Sequence, residues 1–321
     1  MKYLRPLGSI AILGWLAWRA DWRQIGESFS HIRLGVWFLA LGMYILAQVL
    51  SAFRWQVFAR SFGFGQSLAH FVRLYFIGTF FNLFLPTSVG GDVARAWYLN
   101  SGSGRKMAAA ISVFVDRLSG VLMLLGLALV ASAACMMAVP PWVTASVWAS
   151  AGATVLGLLV LPALGRFLAR FDRVRRLVEA TQHLARRPRL ILGTSVLSIV
   201  IQAANVIILW ILGLAIAVPV PPAYYWIIVP MVSLLTLLPI SVNGMGVREG
   251  GMVLFLAPLG VSEAAAVSLA FLWFSVFTAA SLLGAAIYLF GSLPRLEERA
   301  YDEPVGSDSD QGRAGQFRAA A

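Results

Sequence analysis

Three pairs of opposite charges lie in the most apolar parts of this 321-residue chain: Asp92 with Arg95, Asp116 with Arg117, and Arg248 with Glu249. Near the centre of a bilayer each such charge costs at least ~2.5 kcal/mol. These residues must therefore pair with one another or face water. Two kinds of chemistry fit. They can bind an anionic substrate group or a coupling ion, or they can form ion pairs that lock the surrounding helices together. The residues alone leave both open. Asp92 and Arg95, three apart, share one helix face. Asp116 and Arg117 sit one or two turns into a span, in "SVFVDRLSG".

The elements that must position these charges are unusual. Asp92 and Arg95 end the stretch "LPTSVGGDVAR", Leu85 to Arg95, and Arg248 ends "LPISVNGMGVR", Leu238 to Arg248. Aligned without gaps, six of the eleven positions are identical, at an offset of 153 residues. Proline removes an amide donor and glycine permits tight turns. Pro86, Gly90 and Gly91 in the first copy, and Pro239, Asn243, Gly244 and Gly246 in the second, therefore mark helix breaks inside apolar sequence. Lipid cannot satisfy the backbone groups that a break exposes, so each must be buried in protein or line a wet cavity. The helix that restarts after Gly91 or Gly244 would offer free N–H groups to a phosphate or carboxylate.

The same offset carries the span 34–53 onto 187–206 and the segment 107–137 onto 260–290. The chain thus reads as two copies of one unit, about 34–137 and 187–290, each a helix, a broken hairpin and a helix. One extra span and a basic linker lie between them and invert the second copy. Paired interrupted segments in an inverted repeat are the pattern of transporters that bind substrate near the midplane.

Composition sets the class. Apolar residues make up 60% of the chain, charged residues 12%, and mean hydropathy is +0.80. Soluble domains are about 25% charged. The expected fold is all-α and polytopic: about six full spans plus two re-entrant hairpins, within a transmembrane domain 1–294. Leu7–Trp18 reads as a retained first helix, and 295–321 as a disordered cytoplasmic tail. Segment 166–189 holds eight arginines against Asp172 and Glu179. It reads as a cytoplasmic, amphipathic basic helix with Phe167, Phe171, Val174 and Val178 on one face. That places the C-terminus inside and the loops near Pro140 and Pro221 outside. Three arginines between Arg19 and Arg33 would then face outward, against the positive-inside rule.

Other features are plain. The net charge of +11 reads as basic loops touching anionic headgroups, not as a nucleic-acid surface. Cys135 is single, and His31, His70 and His183 lack metal-ligand spacing, so no metal or cofactor is expected. No GxSxG, Walker A, HExxH or CxxC pattern occurs.

"FLPTSVGGDVARAWYL", "VFVDRLSG" and "NGMGVREGG" together resemble the flippase-like family that includes the transmembrane region of lysylphosphatidylglycerol synthases. The resemblance covers nearly the whole chain except the tail. It assigns Asp92 and Arg95 to the GGD-x-x-R element, Arg117 to the fourth-span motif, and Arg248 and Glu249 to the G-x-R-E-G element. Asp116 stands where the family usually has Glu. Asn243 stands where Gly is common, which implies a tighter turn or an Asn in the left-handed region. Large members carry a soluble aminoacyl-transferring domain. A short polar tail stands here instead, so the resemblance implies the lipid-translocating half without the synthase reaction.

The expectation is therefore a non-enzymatic, bacterial-type inner-membrane translocase for a phospholipid or a polyprenyl-phosphate-linked lipid, with the anionic headgroup as its partner. Arg95, Arg117 and Arg248 would contact that headgroup. Asp92, Asp116 and Glu249 would hold the arginines or carry coupling protons. Three alternatives remain: an intramembrane lipid-modifying enzyme using Asp92 and Glu249 as acid and base, an ion-coupled carrier of a small solute, and an accessory subunit for lipid or glycan synthesis enzymes.

Overall fold

A computed structural model describes residues 33–84, 90–101, 104–134, 140–167, 186–237, 241 and 243–291. The Leu7–Trp18 segment, Cys135, most of the basic linker, the tail, Pro86 and Pro239 lie outside the described residues. Among those residues every regular element is helical. They are α1 (Leu34–Ser61), α2 (Leu68–Phe84), α3 (Gly90–Asn100), α4 (Lys106–Ala134), α5 (Pro141–Phe167), α6 (Pro188–Ala215), α7 (Pro222–Leu237), α8 (Val247–Leu256) and α9 (Glu263–Phe290).

Local sequence explains the boundaries. Pro141, Pro188 and Pro222 each open a helix, where the missing N–H has no intrahelical partner to lose. Ser262 caps α9 by accepting a hydrogen bond from the Ala265 amide. Among the described residues four helices, α1, α4, α6 and α9, are long and apolar enough to cross a membrane. Each has 28 or 29 residues, or about 42 Å, against a hydrocarbon core of about 30 Å. The chain is thus a polytopic helical membrane protein. One boundary differs from the sequence reading. Helix α1 does not stop at Phe53 but runs to Ser61, because apolar residues continue past Arg54, and Trp55, Phe58 and Ala59 are buried.

Helices α1 to α4 recur in order as α6 to α9, with α5 between them. Contacts fix the directions. Arg54 meets Ser198, whereas Leu190 packs into the cluster of Phe58 and Phe62, so α1 and α6 run antiparallel. Trp37 reaches Ser275 and Tyr44 meets Phe277, so α9 runs parallel to α1. Ser198 and Gln202 reach Ser119 and Gly120, so α4 runs parallel to α6. The second four helices therefore point opposite to the first four.

Within each unit the two middle helices form a hairpin. Asn82 bonds Gly91 across the tip of the first, and Phe71 and Leu74 share a core with Tyr98 and Leu99 further back. In the second, Thr236 lies against Gly244 and the Tyr224 hydroxyl donates to the Phe255 carbonyl. Helices α3 and α8 have only 11 and 10 residues, about 16 Å, half the bilayer core. The first hairpin is tight because Gly78 and Gly91 face each other: a Cβ on Gly91 would collide with the Gly78 carbonyl. The main core joins both units, with Tyr224, Tyr225, Ile228 and Leu209 against Ala40, Val276 and Phe255.

Candidate functional site

The first hairpin carries a continuous network of charges. Arg95, on α3, is 2% exposed. Its two terminal nitrogens donate to Asp92 Oδ1 at 3.2 Å and to Asp116 Oδ2 at 3.1 Å. Its guanidinium lies between the rings of Trp55 and Tyr75, 4.2 and 4.1 Å from their centroids. Asp116, on α4, is fully buried and takes its second arginine from α1: Arg54 Nε donates to Oδ1 at 2.9 Å. Arg54 also donates to Ser198 on α6 at 2.8 Å. At the other end, Arg117 Nε donates to Asp92 Oδ2 at 2.7 Å. The order is Arg54, Asp116, Arg95, Asp92, Arg117, three cations and two anions spread over three helices. Such a network joins charges that would be prohibitive singly, and breaking one member strands the next.

The second hairpin is simpler. Arg248 donates to Glu249 Oε1 at 3.1 Å and stacks on Phe274 at 4.2 Å. Glu249 in turn accepts the Gly246 amide at 2.6 Å. Arg95 and Arg248 hold equivalent positions in the repeat, but the partners of Arg95 have none: the offset carries Asp92 onto Met245 and Asp116 onto Leu269.

Between the hairpins lie two adjoining cavities of about 320 and 210 Å³. Arg54, Arg117 and Arg248 line the larger, and Arg95 and Arg117 the smaller. Both share Tyr44, Gln48, Tyr75 and Asn243. The two motif arginines thus border adjoining cavities, with Arg117 common to both. Arg117 has the most accessible side chain of the network, 42% exposed, whereas that of Arg95 is 2%. Asn243 lines both cavities in a left-handed conformation, φ 50°, followed by Gly244 at 73°. The turn does use an Asn in the left-handed region. Its Nδ2 has no partner among the described residues.

Several expectations change. The restarting helices do not offer all their amides to a ligand: Asn82 occupies the Gly91 N–H and Glu249 that of Gly246. Asp116 and Arg117 lie about three turns into α4, not one or two, because the helix starts at Lys106. Asp92 and Glu249 do not border the cavities, and each is bonded to arginine. Among the described residues no group of three or more His, Cys, Asp or Glu is placed to hold a metal. Sequence reasoning missed Arg54 altogether. The signal was present: helical spacing of apolar residues continues beyond it. Asn82, Tyr75 and the amides Gln48, Gln202 and Asn205 were also missed, since isolated polar residues in apolar runs carry no motif.

A family model described as the lysylphosphatidylglycerol synthase TM region matches residues 4–284. No curated protein matches the chain.

Proposed function

The chain belongs to the lysylphosphatidylglycerol synthase TM-region family, and from that premise we propose that it moves a lipid with an anionic headgroup between bilayer leaflets. The observation that carries this reading is one cavity that α4 lines with Arg117 and the second hairpin with Arg248. A headgroup entering there exchanges water for guanidinium donors, which suit phosphate. The acyl chains stay in lipid, so only the polar part needs a path. Alternating access then follows from two similar hairpins closing the space in turn.

Roles divide by exposure. Arg117 and Arg248 contact the headgroup. Arg95 and Arg54 hold Asp92 and Asp116 and so keep Arg117 in position. We place the protein in a bacterial cytoplasmic membrane, with segment 166–189 and the C-terminus on the cytoplasmic side. The carboxylates argue less well for acid–base chemistry, because Asp92 and Glu249 are each committed to an arginine.

The test is headgroup translocation in proteoliposomes of the full chain. Arg117→Ala and Arg248→Ala are each expected to slow transport by about tenfold or more, the loss of one charged hydrogen bond of about 1.5–3 kcal/mol. Unchanged rates in both variants would refute the site.

A further inference from the structure

We propose that the acidic segment 297–310 of this chain docks on a basic face at the end of the bundle where α9 finishes, and shields that face from anionic headgroups. Docking does not depend on what the protein transports.

Six helix ends meet at this face. Arg105, just before α4, donates to the Gly63 carbonyl in the turn between α1 and α2, at 3.2 Å. Leu190 of α6 and Met107 of α4 pack with Phe58 and Ile111. Ile287 and Tyr288, in the last turn of α9, pack on the cluster that holds Phe71, Leu99 and Ala109. The ends of α1, α3 and α9 therefore lie beside the starts of α2, α4 and α6. Cations crowd there. Arg60 is in the last turn of α1, Arg73 in the second turn of α2, and Arg105 and Lys106 are at the start of α4. Arg186, Arg187 and Arg189 surround the start of α6. All are exposed. No described acidic residue answers them. Asp92, Asp116 and Glu249 hold interior arginines, and Glu263 starts α9 at the opposite end. The linker 166–189 adds no surplus of anions, with eight arginines against Asp172 and Glu179.

The chain carries the complement next to this face. Segment 297–310 reads "EERAYDEPVGSDSD", six carboxylates against Arg299. These are six of the 14 acidic residues in the chain. Such charge blocks act as interaction tails. The segment starts six residues beyond Gly291, where the described part of α9 ends, a reach of up to about 20 Å. Helix α9 packs on α1, and α1 on α6. At about 8–10 Å between axes, the arginines of α6 are within that reach. Anionic headgroups repel an acidic segment and attract a basic face. The segment is thus driven from the lipid surface toward the protein. Each exposed ion pair contributes little, but tethering gives the segment an effective concentration in the millimolar range.

Lys106 makes docking measurable, since the only other lysine is Lys2. A carbodiimide joins a carboxylate to a lysine amine as an amide and takes up the lost water as its urea. Full-length protein, half of it heavy-isotope labelled, would be treated in zwitterionic nanodiscs, and the joined peptides read by mass spectrometry. The expected product links Lys106 to carboxylates of 297–310 within one chain. Its yield should fall about fivefold between about 0.02 and about 0.5 M salt, because screening shortens the range of the attraction. The combined change Arg186→Gln, Arg187→Gln and Arg189→Gln should lower the yield severalfold with an unchanged thermal midpoint. Arg60→Gln with Arg73→Gln serves the same purpose if that variant does not fold. The link should persist in nanodiscs holding about 30% phosphatidylglycerol at about 0.15 M salt. No link, or one indifferent to salt and to these variants, overturns the proposal. Links between light and heavy chains assign the face to the segment of a second copy and overturn docking within one chain. Loss of the link only in anionic nanodiscs makes lipid the occupant and overturns the shielding. None of these readouts involves lipid movement, so the translocation reading stands or falls separately.

Discussion

The two hairpins share a backbone and differ in their electrostatics. Both carry glycines where the second helix begins, run on as a half-length helix and carry an arginine at the same register. In the first, Arg95 ties α3 to α4 through the buried Asp116, and Asp116 in turn holds Arg54 of α1. In the second, Arg248 finds its carboxylate on the next residue of its own helix, and its aromatic partner on α9. The first hairpin is thus clamped across helices, and the second is satisfied almost locally. Duplication supplied the geometry. The ion pairs that distinguish the copies come from positions that differ between them, namely Arg54, Asp92 and Asp116. A symmetric scaffold can therefore hold one firmly tied and one less constrained hairpin.

That contrast can be broken most forcefully at Asp116. Asp116→Asn removes the carboxylate shared by Arg54 and Arg95 and leaves two buried guanidiniums short of an anion. It is expected to destabilise the protein by about 3–5 kcal/mol, read as a large fall in the thermal midpoint in detergent. Gly91→Ala comes next, at about 1–3 kcal/mol, because the new methyl strikes the Gly78 carbonyl and pries α3 from α2. The same measurement checks it, and a midpoint equal to that of the parent would show the hairpin is looser than the contact implies. Glu249→Gln should cost about 1–2 kcal/mol, less than Asp116→Asn. The amide oxygen still accepts from Gly246, and only one arginine loses its counter-charge. A loss as large as that of Asp116→Asn would erase the proposed asymmetry. Smallest is Asn243→Gly, expected within about 0.5 kcal/mol, since glycine adopts the positive φ freely. Asn243→Val serves as its opposite: a β-branched residue with φ near 50° should unfold the tip or lower expression.

Much of the architecture is legible in the sequence. Apolar runs located the helices, and prolines located their ends at Pro141 and Pro222. The repeated motif revealed two units, because backbone breaks inside lipid demand particular residues wherever they occur. The site was legible only in part. Asp92 with Arg95 and Arg248 with Glu249 could be read as pairs because their partners are close in sequence, and the structure pairs them.

The sequence by itself determined a helical membrane bundle with two similar hairpins and charges that needed partners. Periodicity and hydropathy are local properties, and helices in lipid satisfy their own backbones, so nearby residues suffice to specify them. Only the tertiary structure decided which charges meet. Arg54 and Asp116 are 62 residues apart and 2.9 Å distant. Arg117, next to Asp116 in the chain, points to Asp92 instead and reaches the cavity. Adjacent residues on a helix project about 100° apart. Their partners are therefore set by which helices pack on either side, and no local pattern records that.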